Sequence, residues 1–355
     1  MISLFVMSAI AFAYPTPVEH DFVIPSFKFS SGTEYAGLKL RCTTIGEPRK
    51  NPATGKVDNA VLIMHGTGGS GHQFLTPIFS DVLFGKDQPL DATKYFIILP
   101  DAIGHGHSSK PSDGLHARFP NYRYNDIVRA QHQLVFDELK VDHLRLVMGT
   151  SMGGMQTWMW GEMYPTEMDA LMPLACAPIE IAGRNRMVRK MAIDAIRKDP
   201  SWMNGEYKTQ PNNLSTAVNS LILMGSAPLQ MLKDAPTGKA ADDLYERTLK
   251  GRLATMDAND FLYQFESSAD YNPEPLLESI VAPLTIVNSA DDMINPPELG
   301  VVEREIKRVK QGQFVMLPVS SETRGHGTHT IAKLWQEHLA ALLKRSEKRS
   351  TNSPR

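Results

Sequence analysis

The chain has 355 residues, 42% of them hydrophobic and 21% charged, with a formal net charge of −2. That length suits one large α/β domain carrying an insertion. The near-balanced charge gives no reason to expect nucleic acid or an anionic membrane as partner, and the two cysteines lack the spacing of a zinc site.

Residues 1–13 are almost wholly apolar and end in Ala11-Phe12-Ala13 ahead of Tyr14-Pro15. This is the apolar region and small-residue cleavage site of a secretory signal, although no Lys or Arg supplies the usual basic start. The run is shorter than the ~18–20 residues that span a membrane, so no integral membrane association is expected. The pattern points to a secreted or periplasmic protein. The alternative is a cytoplasmic protein whose hydrophobic N-terminal extension packs on the body.

Residues 27–44 alternate in polarity around Ser31-Gly32, as an antiparallel hairpin does. Continuous apolar runs follow at 61–64, 95–99, 144–148, 284–288 and 313–317, and another at 170–175 that includes Pro173. Such runs read as strands buried on both faces of a mostly parallel sheet. Helical patterns at 124–139 and 330–344 alternate with them, which is the signature of a wound α/β sheet. Between 179 and 270 the strand signal disappears, and Pro200, Pro211, Pro228 and Pro236 punctuate a helix-prone stretch. The expected organisation is a core from 20–178 and 271–345, a helical lid at 179–270, and a disordered tail at 346–355.

The motif Gly149-Thr150-Ser151-Met152-Gly153 joins a predicted strand to an apolar helix. A serine hydroxyl attacks well when a sharp strand-to-helix turn exposes it, and the flanking glycines let the turn close. Ser151 is therefore the candidate nucleophile. The helix that follows aims its first amides at developing negative charge. His65-Gly66-Thr67-Gly68-Gly69 follows the strand at 61–64, so the N–H groups of Thr67 and Met152 are candidates for an oxyanion hole. No Gly-Lys-Ser/Thr follows, which sets a nucleotide-type phosphate loop aside. The pair His105 and His107 lies in a turn without a third ligand at sensible spacing, so no metal is expected there.

A triad of this order needs an acid and then a histidine further along. The strand at 284–288 leads into Asp291-Asp292-Met293-Ile294-Asn295-Pro296, where Asp292 is the favoured acid and Asp291 reads as a turn or cap residue. Gly325-His326-Gly327-Thr328-His329 follows the last strand; His326 is the favoured base, and His329 reads as a packing or capping residue.

Several stretches resemble one known family. They are Gly149-Thr150-Ser151-Met152-Gly153-Gly154-Met155-Gln156, Tyr164-Pro165 with Met168-Asp169, Asp199-Pro200-Ser201-Trp202 with Gly205-Glu206-Tyr207, and Met256-Asp257-Ala258-Asn259 with Leu262-Tyr263. With them, residues 61–343 resemble the homoserine O-acetyltransferase-like branch of the α/β-hydrolase superfamily. The resemblance implies a mostly parallel eight-stranded sheet flanked by helices, with an inserted helical lid. It maps the serine, acid and histidine onto Ser151, Asp292 and His326, and implies no cofactor.

His65-Gly66 and Gly104-His105-Gly106-His107-Ser108 look closer to general esterases, so cleavage of a carboxylic ester through an acyl-enzyme is the expected activity. Acyl transfer to an alcohol such as homoserine is the alternative, and a non-catalytic binding protein the remote one. For an amino-acid acceptor the lid offers Arg184, Arg186 and Arg189, which otherwise read as a solvated helix face. A small-molecule ester or acyl donor is the expected partner, with a homodimer as a further possibility. The resemblance also places Cys42 and Cys176 several strands apart. At about 4.8 Å per strand step, that exceeds the roughly 7 Å limit of a disulfide, so free thiols are expected.

Overall fold

The computed structural model describes residues 13–352, so the signal expected at 1–13 lies, but for Ala13, outside the described residues. In chain order the elements are the hairpin β1 (Val18–Lys28) and β2 (Glu34–Ile45), then β3 (Ala60–Met64), α1 (Pro77–Leu83), β4 (Phe96–Pro100), α2 (Tyr124–His132), β5 (Leu144–Thr150), α3 (Met152–Met163) and β6 (Leu171–Leu174). A run of helices follows: α4 (Gly183–Arg197), α5 (Leu214–Met224), α6 (Pro228–Asp234), α7 (Gly238–Leu253) and α8 (Ala258–Glu266). The chain then returns to the sheet through β7 (Leu284–Ser289), α9 (Val301–Glu305), β8 (Gly312–Leu317) and α10 (Gln336–Asn352).

The eight strands form one sheet in the order β1-β2-β4-β3-β5-β6-β7-β8. β1 and β2 pair antiparallel, as do β2 and β4, and the remaining pairs are parallel. Every residue of β3, β4, β5, β6 and β7 is buried, which is why their sequences read as unbroken apolar runs. Packed layers cover both faces. One is built around Trp158, Trp160 and Tyr271, the other around Phe79, Trp335 and Leu339. From β3 the chain runs outward to β4 and then crosses back to lay β5 on the other side of β3. That reversal opens a crevice outside the carboxyl ends of β3 and β5, where ligands of open α/β sheets bind. Met64 pairs with Gly149, so the loop after β3 lies beside the turn after β5.

Helices α4 to α8 hold a small core of their own, with Ile193, Ile196, Leu214, Val218, Phe261 and Phe265 at its centre. Two carboxylates, the buried Asp260 and the exposed Asp270, tie this insertion to the sheet layer. Asp260 accepts the Ser112 N–H at 2.8 Å and the Ser112 hydroxyl at 2.6 Å. Asp270 accepts the N–H groups of Tyr124 and Asn125 at the start of α2, each at 3.1 Å. Among the described residues no helix is long and apolar enough to cross a membrane.

Three local expectations are corrected. The helix expected at 124–139 is α-helical only to His132 and then widens into π-type turns over Gln133–Glu138. The helix expected at 330–344 starts later, because Gly327–Thr330 and Ala332–Leu334 form short 3-10 turns. Trp335 closes that segment by donating its indole N–H to the His329 carbonyl at 3.1 Å while packing on Phe79. The tail expected to be disordered from 346 is helical through Asn352. Ser346 is fully buried, and its hydroxyl accepts from the Arg145 guanidinium at 2.9 Å, which also donates to the Leu343 carbonyl at 2.7 Å. Cys42, on β2, and Cys176, just past β6, are buried free thiols.

The Arg145 contact gives a direct test. Ser346→Val is expected to lower the unfolding free energy by about 1–3 kcal/mol, the cost of leaving a buried charged donor short of an acceptor. Urea denaturation measures it; a frayed terminus would show no change.

Candidate active site

Ser151 sits between β5 and α3 with φ 56° and ψ −110°, a backbone region that side chains other than glycine rarely occupy. Strain of this kind persists only where the surroundings over-determine it. Here they do. A Cβ at Gly149 would lie 2.3 Å from the Gly153 carbonyl carbon, and one at Gly153 would lie 2.0 Å from the Met64 carbonyl oxygen. The Ser151 N–H is held by the Leu174 carbonyl at 2.8 Å. The turn therefore closes tightly and lifts the hydroxyl into the crevice.

His326 reaches it from the loop after β8. Its Nε2 lies 2.8 Å from Ser151 Oγ and its Nδ1 lies 2.8 Å from Asp292 Oδ2. Asp292 is 1% exposed. Burial alone would push its carboxyl up, but the His326 ring, the Asn295 amide and the Ile294 N–H together outweigh burial and hold it below the ordinary range. The Ile294 N–H donates to Oδ1 at 2.8 Å and the Asn295 side chain to Oδ2 at 3.0 Å. Asp291 points elsewhere: its Oδ2 accepts the Gly325 N–H at 3.0 Å and so anchors the histidine loop. Gly325 has φ +58°, and a Cβ there would meet the Ser226 carbonyl oxygen at 2.9 Å. His329 packs edge-on against His326, with ring centroids 5.3 Å apart. Its burial and the neighbouring His326 push it down to about 3.

Thr67 lines the same cavity as Ser151 and His326. Met152 is the first residue of α3, with its side chain buried in the core. The loop Gly66-Thr67-Gly68-Gly69-Ser70-Gly71 also has the Gly-x-Gly-x-x-Gly spacing of a dinucleotide cradle. It leads, however, into a 3-10 turn (Gly71–Leu75) rather than an α-helix, and the Gly71 N–H is already taken by the Asp101 carboxylate at 2.7 Å.

Arg184 and Arg186 do not reach the catalytic cavity, which corrects the expectation that they bind substrate. Both are exposed, and Arg184 donates to the Met293 carbonyl on the outer side. Helical spacing decides this, since Asn185, Val188 and Arg189 face inward at i, i+3 and i+4. Arg189 is only 6% exposed. It donates to Asn185 at 3.0 Å and Ser268 at 3.1 Å and lies over the Phe265 ring. It makes no ion pair among the described residues. The cavity measures ≈ 230 Å³ and has Arg252 as its second cation; no described Asp or Glu lines it. Met155, Leu221, Met224, Phe265 and Ile294 supply apolar walls.

Sequence reasoning passed over Asn295, which also donates to the Ala175 carbonyl at 3.0 Å, and Gln73, which donates to Thr150 Oγ1 at 2.9 Å. An amide three residues after the acid was a readable signal; Gln73 carried none.

Residues 59–316 match the alpha/beta hydrolase fold family. A probable acyltransferase of Methanothermobacter thermautotrophicus is 26% identical over 283 residues, covering 79% of this chain and 85% of that one. A homoserine O-acetyltransferase of Pelobacter propionicus is 28% identical over 325 residues, covering 81% and 85%. Among solved structures, an acetylester hydrolase from Corynebacterium glutamicum superposes with a TM-score of 0.80 at 20% identity, covering 92% of this chain and 96% of that one.

Beneath the loop after β3, His65 and His105 pack with ring centroids 5.1 Å apart. His65 ties two loops together, with Nδ1 on the Gly66 carbonyl at 2.8 Å and Nε2 accepting the Ala102 N–H at 3.0 Å. Burial pushes both rings down, His105 to about 3. An unfolded histidine titrates near 6.5, so the unfolded chain takes up the proton first as pH falls. The contribution of neutral His105 is thus complete above about pH 6.5 and is lost as pH falls toward about 3. His105→Phe is expected to lower the slope of unfolding free energy against pH by up to about 1.4 kcal/mol per unit across that window. Urea melts over the range read it, and an unchanged slope would show that the ring titrates alike in both states.

Proposed function

The chain is an enzyme belonging to the α/β-hydrolase fold family, and on that premise we propose that it cleaves a carboxylic ester through an acyl-enzyme formed on Ser151. The observation that carries this reading is the hydrogen-bonded line from Ser151 Oγ through His326 to Asp292, with both contacts at 2.8 Å. His326 Nε2 accepts the hydroxyl proton as Oγ attacks the ester carbonyl. Asp292, ionised, keeps the Nδ1–H directed at itself and stabilises the imidazolium. The N–H groups of Thr67 and Met152 receive the oxyanion. In support, the Thr67 N–H has no hydrogen-bond acceptor among the described residues. On collapse the C–O bond breaks, His326 returns its proton to the leaving alcohol, and the acyl group remains on Oγ. Water then repeats the sequence and releases the acid.

One observation favours a second reading, transfer of the acyl group to an alcohol bearing a carboxylate, such as homoserine. Arg189 and Arg252 are cations in a cavity without a described acid, and Arg189 would pair the acceptor's carboxylate. The apolar residues 1–13 support a place outside the cytoplasm, for which a mature N-terminus at Tyr14 is the readable sign.

Burst kinetics with p-nitrophenyl acetate test the mechanism. Wild type is expected to release one equivalent of nitrophenol per site quickly and then turn over, and Ser151→Ala is expected to do neither. Equal behaviour of the two proteins would sink the serine mechanism. Adding L-homoserine separates the two readings. If O-acetylhomoserine forms, the enzyme is a transferase, and Arg189→Gln should raise the homoserine KM by about 10- to 100-fold. If only acetate forms, hydrolysis stands.

A further inference from the structure

A second cavity, of ≈ 80 Å³, adjoins the catalytic one. Met155, Asn185, Ile294 and Asn295 line both and form the common wall. Beyond that wall the lining is mainly carbon, with the polar Asn288 and the exposed Glu180 and Glu303 as exceptions. Phe314 and Met316 stand two apart on β8 and so present the same face, and both are half-buried, as is Ile294. Ile181 closes the inner side, and Leu299, 60% exposed, forms the rim. The wall can part: Met155 is an unbranched thioether with three rotatable bonds, the side chain best able to re-pack around an entering chain.

We propose that this chamber takes the distal carbons of the substrate's acyl group, so that the enzyme favours unbranched aliphatic acyl chains longer than acetyl. The inference rests on the acyl-enzyme reading. The direction follows from the three other groups on the carbon that Ser151 attacks. The oxyanion lies against the amides of Thr67 and Met152, and the leaving alcohol lies against His326, which must protonate it. Neither Thr67 nor His326 lines the second cavity, whereas Met155, one turn into α3 from Ser151, does. The substituent directed past Met155 is therefore the acyl chain. Apolar surface beside a reacting centre gains by being removed from water, at about 0.8 kcal/mol per methylene, which is about fourfold in kcat/KM.

The test is kcat/KM of the full chain for the p-nitrophenyl esters of acetate, butanoate, hexanoate and octanoate. The values are expected to rise about fourfold per buried methylene and then level off. Met316→Trp fills the chamber and should flatten the rise with acetate turnover kept, while Met316→Ala should move the optimum to a longer chain. Leu299→Trp, placed from the exposed rim, should flatten it too and guards against a β8 variant that fails to fold. A normal acetate burst with a flat or falling wild-type series overturns the inference alone. So does a Met316→Trp penalty that follows the alcohol in a series of alkyl acetates rather than the acyl chain. Absence of a burst with every ester overturns the acyl-enzyme reading and this inference together.

Discussion

The unfavourable backbone of Ser151 is the constraint on which the rest of the site depends. A serine at φ 56° is held there by contacts that leave no room for a side chain at Gly149 or Gly153, against Met64 on the neighbouring strand. The strain is local, but the elements that impose it come from β3, β5, β6 and α3 at once. The sheet order supplies them, because β3 and β5 are adjacent only where the chain reverses direction across the sheet. A side chain placed at that reversal is raised above the crevice, next to the loop after β3.

The loop after β7 does two jobs. Its backbone and Asn295 satisfy the buried carboxylate of Asp292, which burial would otherwise neutralise. The side chains of Ile294 and Asn295 also stand between the catalytic cavity and the apolar chamber beside it. Asp291, just before Asp292 in the chain, reaches across to Gly325 and holds the histidine loop. Asp292, the loop that carries His326 and the wall between the two cavities thus meet within a few consecutive residues.

Polar groups around the site are arranged by sign. The only described charges lining the cavity are the cations of Arg189 and Arg252, while the buried Asp292 carboxylate is taken up by the His326 ring and the Ile294 N–H. Arg189 is held by neutral oxygens and an aromatic face. A guanidinium so placed keeps its capacity to pair with an anion. The homoserine O-acetyltransferase and acetylester hydrolase among the similar proteins differ in what receives the acyl group.

The sequence by itself determined the sheet strands, the Gly-x-Ser-x-Gly turn and the order of Ser151, Asp292 and His326. Each of these is a local signal: burial on both faces makes a strand uniformly apolar, and a tight turn demands glycine at fixed offsets. It also favoured Asp292 over Asp291 and His326 over His329; in the structure His326 stands between Ser151 and Asp292. Only the tertiary structure decided that Arg189 rather than Arg184 or Arg186 faces the cavity, because all three lie on one helix and the face that turns inward is set by packing. The same holds for the end of the chain, where a basic, polar stretch reads as tail until Arg145 on β5 is found waiting for Ser346. Gln73, the Ile294 wall and the chamber behind it had no sequence signal at all, since a cavity is a relation between segments distant in the chain.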